Sequence, residues 1–169
     1  MISIKKMLQM FGFLTIFITF NTSLLGMELS DPDAKEQNHQ NITQLLCTLC
    51  WFEKTERVEQ LILDGAPIND FYMDRTPLMY ALEFCNTTLL KMLLKHNANP
   101  NLPNKYNIYP LDKLFSSRRC SEAEKLEALK LLLNNRLILN NRTEAIQKAL
   151  NSGLTRITEF LITAPAFQA

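Results

Sequence analysis

The hexapeptide TPLMYA at residues 76–81 returns thirty-three positions later as YPLDKL at 109–114. Recurrence at a period of about 20–50 residues marks copies of one supersecondary unit stacked side by side, because such a unit cannot bury its apolar face alone. The period therefore constrains the fold before any search for an active site begins. The units should be helical: only 4 glycines occur in 169 residues, too few for a sheet rich in tight hairpins.

Thr76 can cap a helix with its hydroxyl, and Pro77 sits where a first helical turn has no use for an amide hydrogen. Leu78, Ala81 and Leu82 then fall on one stripe, and after the turn CNTT, Leu89, Leu90, Leu93 and Leu94 form the stripe of a second, antiparallel helix. Asn97 follows, the next best residue after glycine for a left-handed helix end. The whole stretch, TPLMYALEFCNTTLLKMLLKHNANPN, resembles one ankyrin repeat. In words, that pattern is Thr-Pro-Leu-His-x-Ala-Ala, a Gly, then Val-x-x-Leu-Leu-x-x-Gly-Ala-x-x-Asn.

Neighbouring copies follow from the same frame. VEQLILDGAPIN (Val58 to Asn69) fits the second half of the pattern, and counting back puts QLLCTLC on a first helix, with Leu46 and Leu49 as core positions of an N-terminal capping repeat. The third copy runs from YPLDKL to LKLLLNNRLILN, with Arg136 and Leu137 in place of Gly-Ala. Leu114 to Leu129 spans 15 residues where Ala81 to Leu90 spans 9, so SSRRCSEAEK enlarges the turn between helices, and Ser121 with Glu124 forms a capping box. EAIQKALNSGLTRITEFLI supplies a degenerate C-terminal cap. The expected fold is all-α: an ankyrin-like solenoid of three to four helix-turn-helix repeats with short β-hairpin or loop fingers. The repeat domain is set at 41–162, divided 41–70, 71–103, 104–141 and 142–162, with a tail at 163–169.

The N-terminus is a different kind of sequence. Lys5 and Lys6 precede the apolar run MLQMFGFLTIFITF, as long as a secretory h-region and short for a bilayer span. Residues 1–26 are read as a signal peptide, with an uncleaved anchor as the alternative, and 27–40 as a flexible polar linker containing His39. Export to the periplasm or the extracellular space is the expected localisation; the alternative is a membrane-tethered structural scaffold held by an uncleaved N-terminal segment.

A formal charge of +1 gives no global field for nucleic acid or an anionic membrane. Neither a phosphate-binding glycine loop nor a nucleophile elbow is present, Arg118-Arg119 reads as a solvated loop tip, and His96 belongs to the repeat's turn. Cys47 and Cys50, on one helix, read as small buried residues rather than a redox or zinc pair. No catalytic residue, cofactor, metal or small-molecule substrate is expected. The resemblance implies a non-enzymatic module binding another protein through its concave surface of finger tips and first helices. Those positions fall on Trp51, Phe52, Glu83, Phe84, Ser116 and Ser117, with finger residues Asp70, Tyr72, Met73, Arg75, Lys105, Tyr106 and Ile108. Cys85 and Cys120 lie at the inter-helix turns of successive repeats, and the enlarged second turn could bring their Cα atoms within the roughly 7 Å that a disulfide needs.

Overall fold

The computed structural model describes residues 32–139 and 142–163; the expected signal peptide and the tail beyond Thr163 lie outside the described residues. Eight helices follow one another within that range: α1 Pro32–Trp51, α2 Thr55–Leu63, α3 Pro77–Glu83, α4 Thr87–Lys95, α5 Pro110–Ser116, α6 Glu122–Asn134, α7 Arg142–Asn151 and α8 Thr155–Thr163. Each odd-numbered helix packs on the even-numbered one after it. The odd helices also stack on one another in one row and the even helices in a second, making a two-layer all-α solenoid.

Local chemistry sets where the helices start. The Thr76 hydroxyl accepts from Met79 N–H at 3.3 Å ahead of Pro77, and Asn86 Oδ1 accepts from Leu89 N–H at 2.9 Å. Ser121 and Glu124 close the expected reciprocal box, Ser121 N–H donating to Glu124 Oε2 at 2.8 Å and Glu124 N–H to Ser121 Oγ at 3.3 Å.

One device ends most of them. Glu53, Cys85 and Gly153 close three first helices, and Gly65, Asn97 and Arg136 close three second helices, all at positive φ. The amide one residue beyond each left-handed position bonds back to the helix, for example Ala66 N–H to Leu61 C=O at 3.0 Å, Ala98 to Leu93 at 2.9 Å and Leu137 to Leu132 at 3.0 Å. These bonds satisfy carbonyls that a helix end would otherwise leave bare. The third pair departs from this: Ser117, after α5, has φ −59°, and the chain runs on through the inserted residues to Ser121. Much of the insertion becomes helix, since α6 has 13 residues and α4 has 9.

The apolar stripes meet between the rows. Leu46, Leu78, Leu82, Leu89, Leu90, Leu93, Leu114, Leu129, Leu132, Ile157 and Leu161 are fully buried, and Leu49 nearly so. In the last pair Ala149 and Leu161 are buried while Ile162 faces solvent, as an outer cap requires. Lys125 is the charged exception in this core; its Nζ donates to Phe115 C=O at 3.0 Å, at the end of α5, and burial pushes its pKa down.

Successive repeats are also tied by asparagines that the stripe analysis does not single out. Asn69 Nδ2 donates to Asn97 C=O at 3.2 Å while its Oδ1 accepts from Asn99 N–H at 2.7 Å. One repeat on, Asn101 Nδ2 donates to Arg136 C=O and its Oδ1 accepts from Ile138 N–H, both at 2.8 Å. Each asparagine thus holds the left-handed turn of the following repeat.

The N-terminal boundary differs from the one expected. Residues 32–40, assigned to a flexible linker, are the first turns of α1. Pro32 opens that helix, and side chains four apart support its exposed face: Gln40 Nε2 donates to Glu36 at 3.1 Å and Gln37 Nε2 to Asn41 at 3.2 Å. A polar segment of this kind lacks an apolar stripe yet continues a helix that is anchored further on.

Candidate functional site

The fingers connect each second helix to the next first helix. In the first, Tyr72 and Arg75 exchange backbone hydrogen bonds at 3.0 and 3.1 Å, and Met73 and Asp74 between them both have positive φ, which closes a two-residue hairpin. In the second, Asn104 Oδ1 accepts from Tyr106 N–H at 2.9 Å and Ile108 N–H at 3.0 Å. Asn104 Nδ2 also reaches Asp74 C=O at 3.0 Å, and Lys105 Nζ pairs with Asp74 at 2.9 Å. The fingers are therefore fixed side by side, with Met73 and Tyr106 at their tips, 73% and 64% exposed.

Behind the first finger, the end of α1 meets α3. Trp51 lies edge-on to Tyr80 and Phe84, with ring centroids 6.0 and 4.9 Å apart and planes at 87° and 85°. Tyr80 donates its hydroxyl to Tyr72 C=O at 3.2 Å, and its burial raises the phenol to about 12. Trp51, Tyr72, Met73, Arg75, Tyr80, Cys47 and Thr48 enclose an open, mainly apolar cleft of about 340 Å³. Arg75 lies over the Tyr80 ring at 5.6 Å and pairs with Glu83.

The thirteen expected contact positions divide unevenly. Trp51, Met73, Lys105, Tyr106 and Ser116 are exposed; Phe52, Tyr72, Phe84 and Ile108 are half-buried. Four expected contact residues have an ionisable partner within the chain: Asp70 is bonded to His39 across from α1, Arg75 and Glu83 hold each other, and Lys105 is paired with Asp74. Ser117 is corrected outright: it is buried, donating to Glu83 C=O at 2.7 Å. The insertion folds back onto α3 here instead of continuing the concave row. His39, placed in the linker by its polar neighbours, instead joins α1 to the first finger.

Arg119 is the residue that position-by-position analysis missed. It is exposed, as a loop tip should be, yet its guanidinium lies 4.9 Å from the Phe84 ring and 5.6 Å from the Trp51 ring. The enlarged turn in the sequence was the available signal, since residues added beside an aromatic pair need somewhere to pack. Cys85 and Cys120 are joined as a disulfide, with Cα atoms 6.0 Å apart, which pins the same turn to the end of α3.

Cys47 and Cys50 are buried free thiols. Burial raises Cys47 to about 12 and Cys50 further, so neither carries the thiolate that redox or metal chemistry needs at neutral pH. Among the described residues no three metal-ligating side chains converge, and no helix is long and apolar enough to cross a membrane. Comparison with curated proteins gives no match. A family model described as Ankyrin repeats (3 copies) matches residues 17–104, just over half of the chain. That match starts inside the N-terminal apolar run and ends at the second finger, while the helix pairs beyond it continue the same two-row packing. With its left-handed turns recurring at the family's glycine positions and its asparagines bridging neighbouring units, the chain belongs to the ankyrin repeat family.

Proposed function

We propose that the chain is an exported, non-enzymatic module that binds another protein through the concave surface formed by its fingers and first helices. Ankyrin repeats generally mediate protein–protein interaction and are typically not enzymes. The observation that carries the reading for this chain is the exposure of Trp51, Met73 and Tyr106 on a scaffold whose fingers are locked together. Large apolar side chains held rigidly at a surface are the usual anchors of an interface, because little side-chain entropy is lost when they are covered.

Changing Trp51, Met73 and Tyr106 to Ala together should leave the helical circular dichroism signal in place and abolish capture of proteins that the wild-type chain retains. Undiminished capture would count against the surface. Export rests on Lys5, Lys6 and the apolar run after them, and a disulfide suits an oxidising compartment. N-terminal sequencing of the mature protein tests it: a start near Met27 supports a cleaved signal peptide, and an intact Met1 means a membrane-anchored form.

A further inference from the structure

We propose that the cleft beside Trp51 and the guanidinium of Arg119 form one docking site for a protein segment that carries an apolar side chain next to a carboxylate. The proposal rests on the protein-binding reading above and specifies the chemistry of the partner. Trp51 divides the site: its ring meets Tyr80, on the cleft side, and Phe84, on the Arg119 side. Tyr80, on α3, and Phe84, the residue that follows its last turn, are four positions or roughly 5–6 Å apart. An extended segment advances about 3.3 Å per residue, so an anchor in the cleft sets a carboxylate one or two positions away beside Arg119.

Charge selects the same occupant. Arg75, at the cleft wall, is neutralised by Glu83, and Lys105 and Lys148 each have a carboxylate within 2.9 Å. Among the described residues Arg119 faces only rings, and its neighbour Arg118 is exposed. Glu53, the nearest acid in sequence to Trp51, is engaged by Asn86 Nδ2 at 2.8 Å. A guanidinium lying over ring faces keeps its edge donors available for bidentate bonding to a carboxylate. The cation is also held in place beforehand: the disulfide fixes Cys120, the Ser117 hydroxyl donates to Glu83 C=O, and Arg119 N–H donates to Ser117 Oγ at 3.2 Å. That preorganisation lowers the ordering cost of recognition.

Selection from a display library of random linear peptides on the oxidised protein tests the proposal. Recovered peptides should carry an aromatic or aliphatic residue within two positions of Asp or Glu. The consensus peptide should bind Arg119→Ala roughly tenfold more weakly, the size expected for one charge-assisted hydrogen-bonded contact, and Arg119→Glu should select basic residues instead. Circular dichroism checks that both exposed-site variants fold. Apolar peptides without acidic preference, binding indifferent to Arg119, no recovered peptide, or binding only of a single-stranded oligonucleotide would each overturn the proposal. The broader concave-surface reading is judged separately, by protein capture with the Trp51, Met73 and Tyr106 triple variant.

Discussion

Arg136 occupies a conformation that suits glycine. Its φ of 64° matches the 66° of Asn97, and Gly65 is likewise at positive φ at the same point of its repeat, where a Cβ crowds the backbone. The neighbouring repeat holds this residue through its backbone carbonyl, which Asn101 Nδ2 reaches in any variant. Arg136→Gly should therefore stabilise the protein by about 0.5–1 kcal/mol, the relief of left-handed strain outweighing the added freedom of the unfolded chain; urea unfolding measures it. Cys47 gives a pH test. Its folded pKa is raised from 9.0 to about 12 by burial, so the folded state holds a proton that the unfolded state releases. The resulting contribution is complete below pH 9.0 and is lost as pH rises toward about 12. Stability should fall by up to roughly 1.4 kcal/mol per pH unit from this thiol across that window. Cys47→Ala should flatten the slope in alkaline denaturation curves relative to wild type.

Helices whose beginnings are written in neighbouring residues were legible in the sequence. Thr76-Pro77 and Ser121 with Glu124 start α3 and α6 as their chemistry demands, and the stripe at Leu89, Leu90, Leu93 and Leu94 is buried as periodicity requires. The early start of α1 was not legible, because a polar stretch carries the same composition whether it is a solvated helix or a linker. The candidate site was readable only in outline. Repeat position identifies which residues reach the concave side, but it cannot show that Arg75 and Glu83, eight apart, satisfy each other, or that Ser117 turns inward under an insertion. The asparagine ties were equally hidden, since Asn69 and Asn101 act on the next repeat, about one repeat length away in sequence. They yield a prediction for the joints between elements. Asn101→Ala removes the donor to Arg136 C=O and the acceptor for Ile138 N–H, and at this half-buried position it should cost roughly 1–2 kcal/mol. Native-state hydrogen exchange should show faster exchange of the Ile138 amide. An unchanged Ile138 rate would mean that water replaces the tie at no cost.

A stack without long-range sheet pairing holds together through contacts between adjacent repeats, so interfaces set its stability. Leu93→Ala, in the fully buried row, should cost roughly 2–5 kcal/mol, whereas exposed Lys91→Ala on the same helix should stay within about 0.5 kcal/mol. The disulfide adds a covalent joint of a different kind. It links the turn after α3 to the turn after α5, residues 35 apart, and so spans the interface between the second and third repeats. Closing a loop of that length restricts the unfolded chain more than the native stack, where the turns are already adjacent through the bond from Ser117 to Glu83. The oxidised protein should therefore be more stable than Cys120→Ala by about 2–4 kcal/mol. Most of the difference should vanish when both are measured with reductant present, because reduction frees the wild-type chain as well. Urea midpoints of the two proteins, each with and without reductant, separate this from a packing effect. If Cys120→Ala remained equally destabilised under reduction, the loss would lie in the contacts of the Cys120 side chain, and the covalent link would contribute little to the stack.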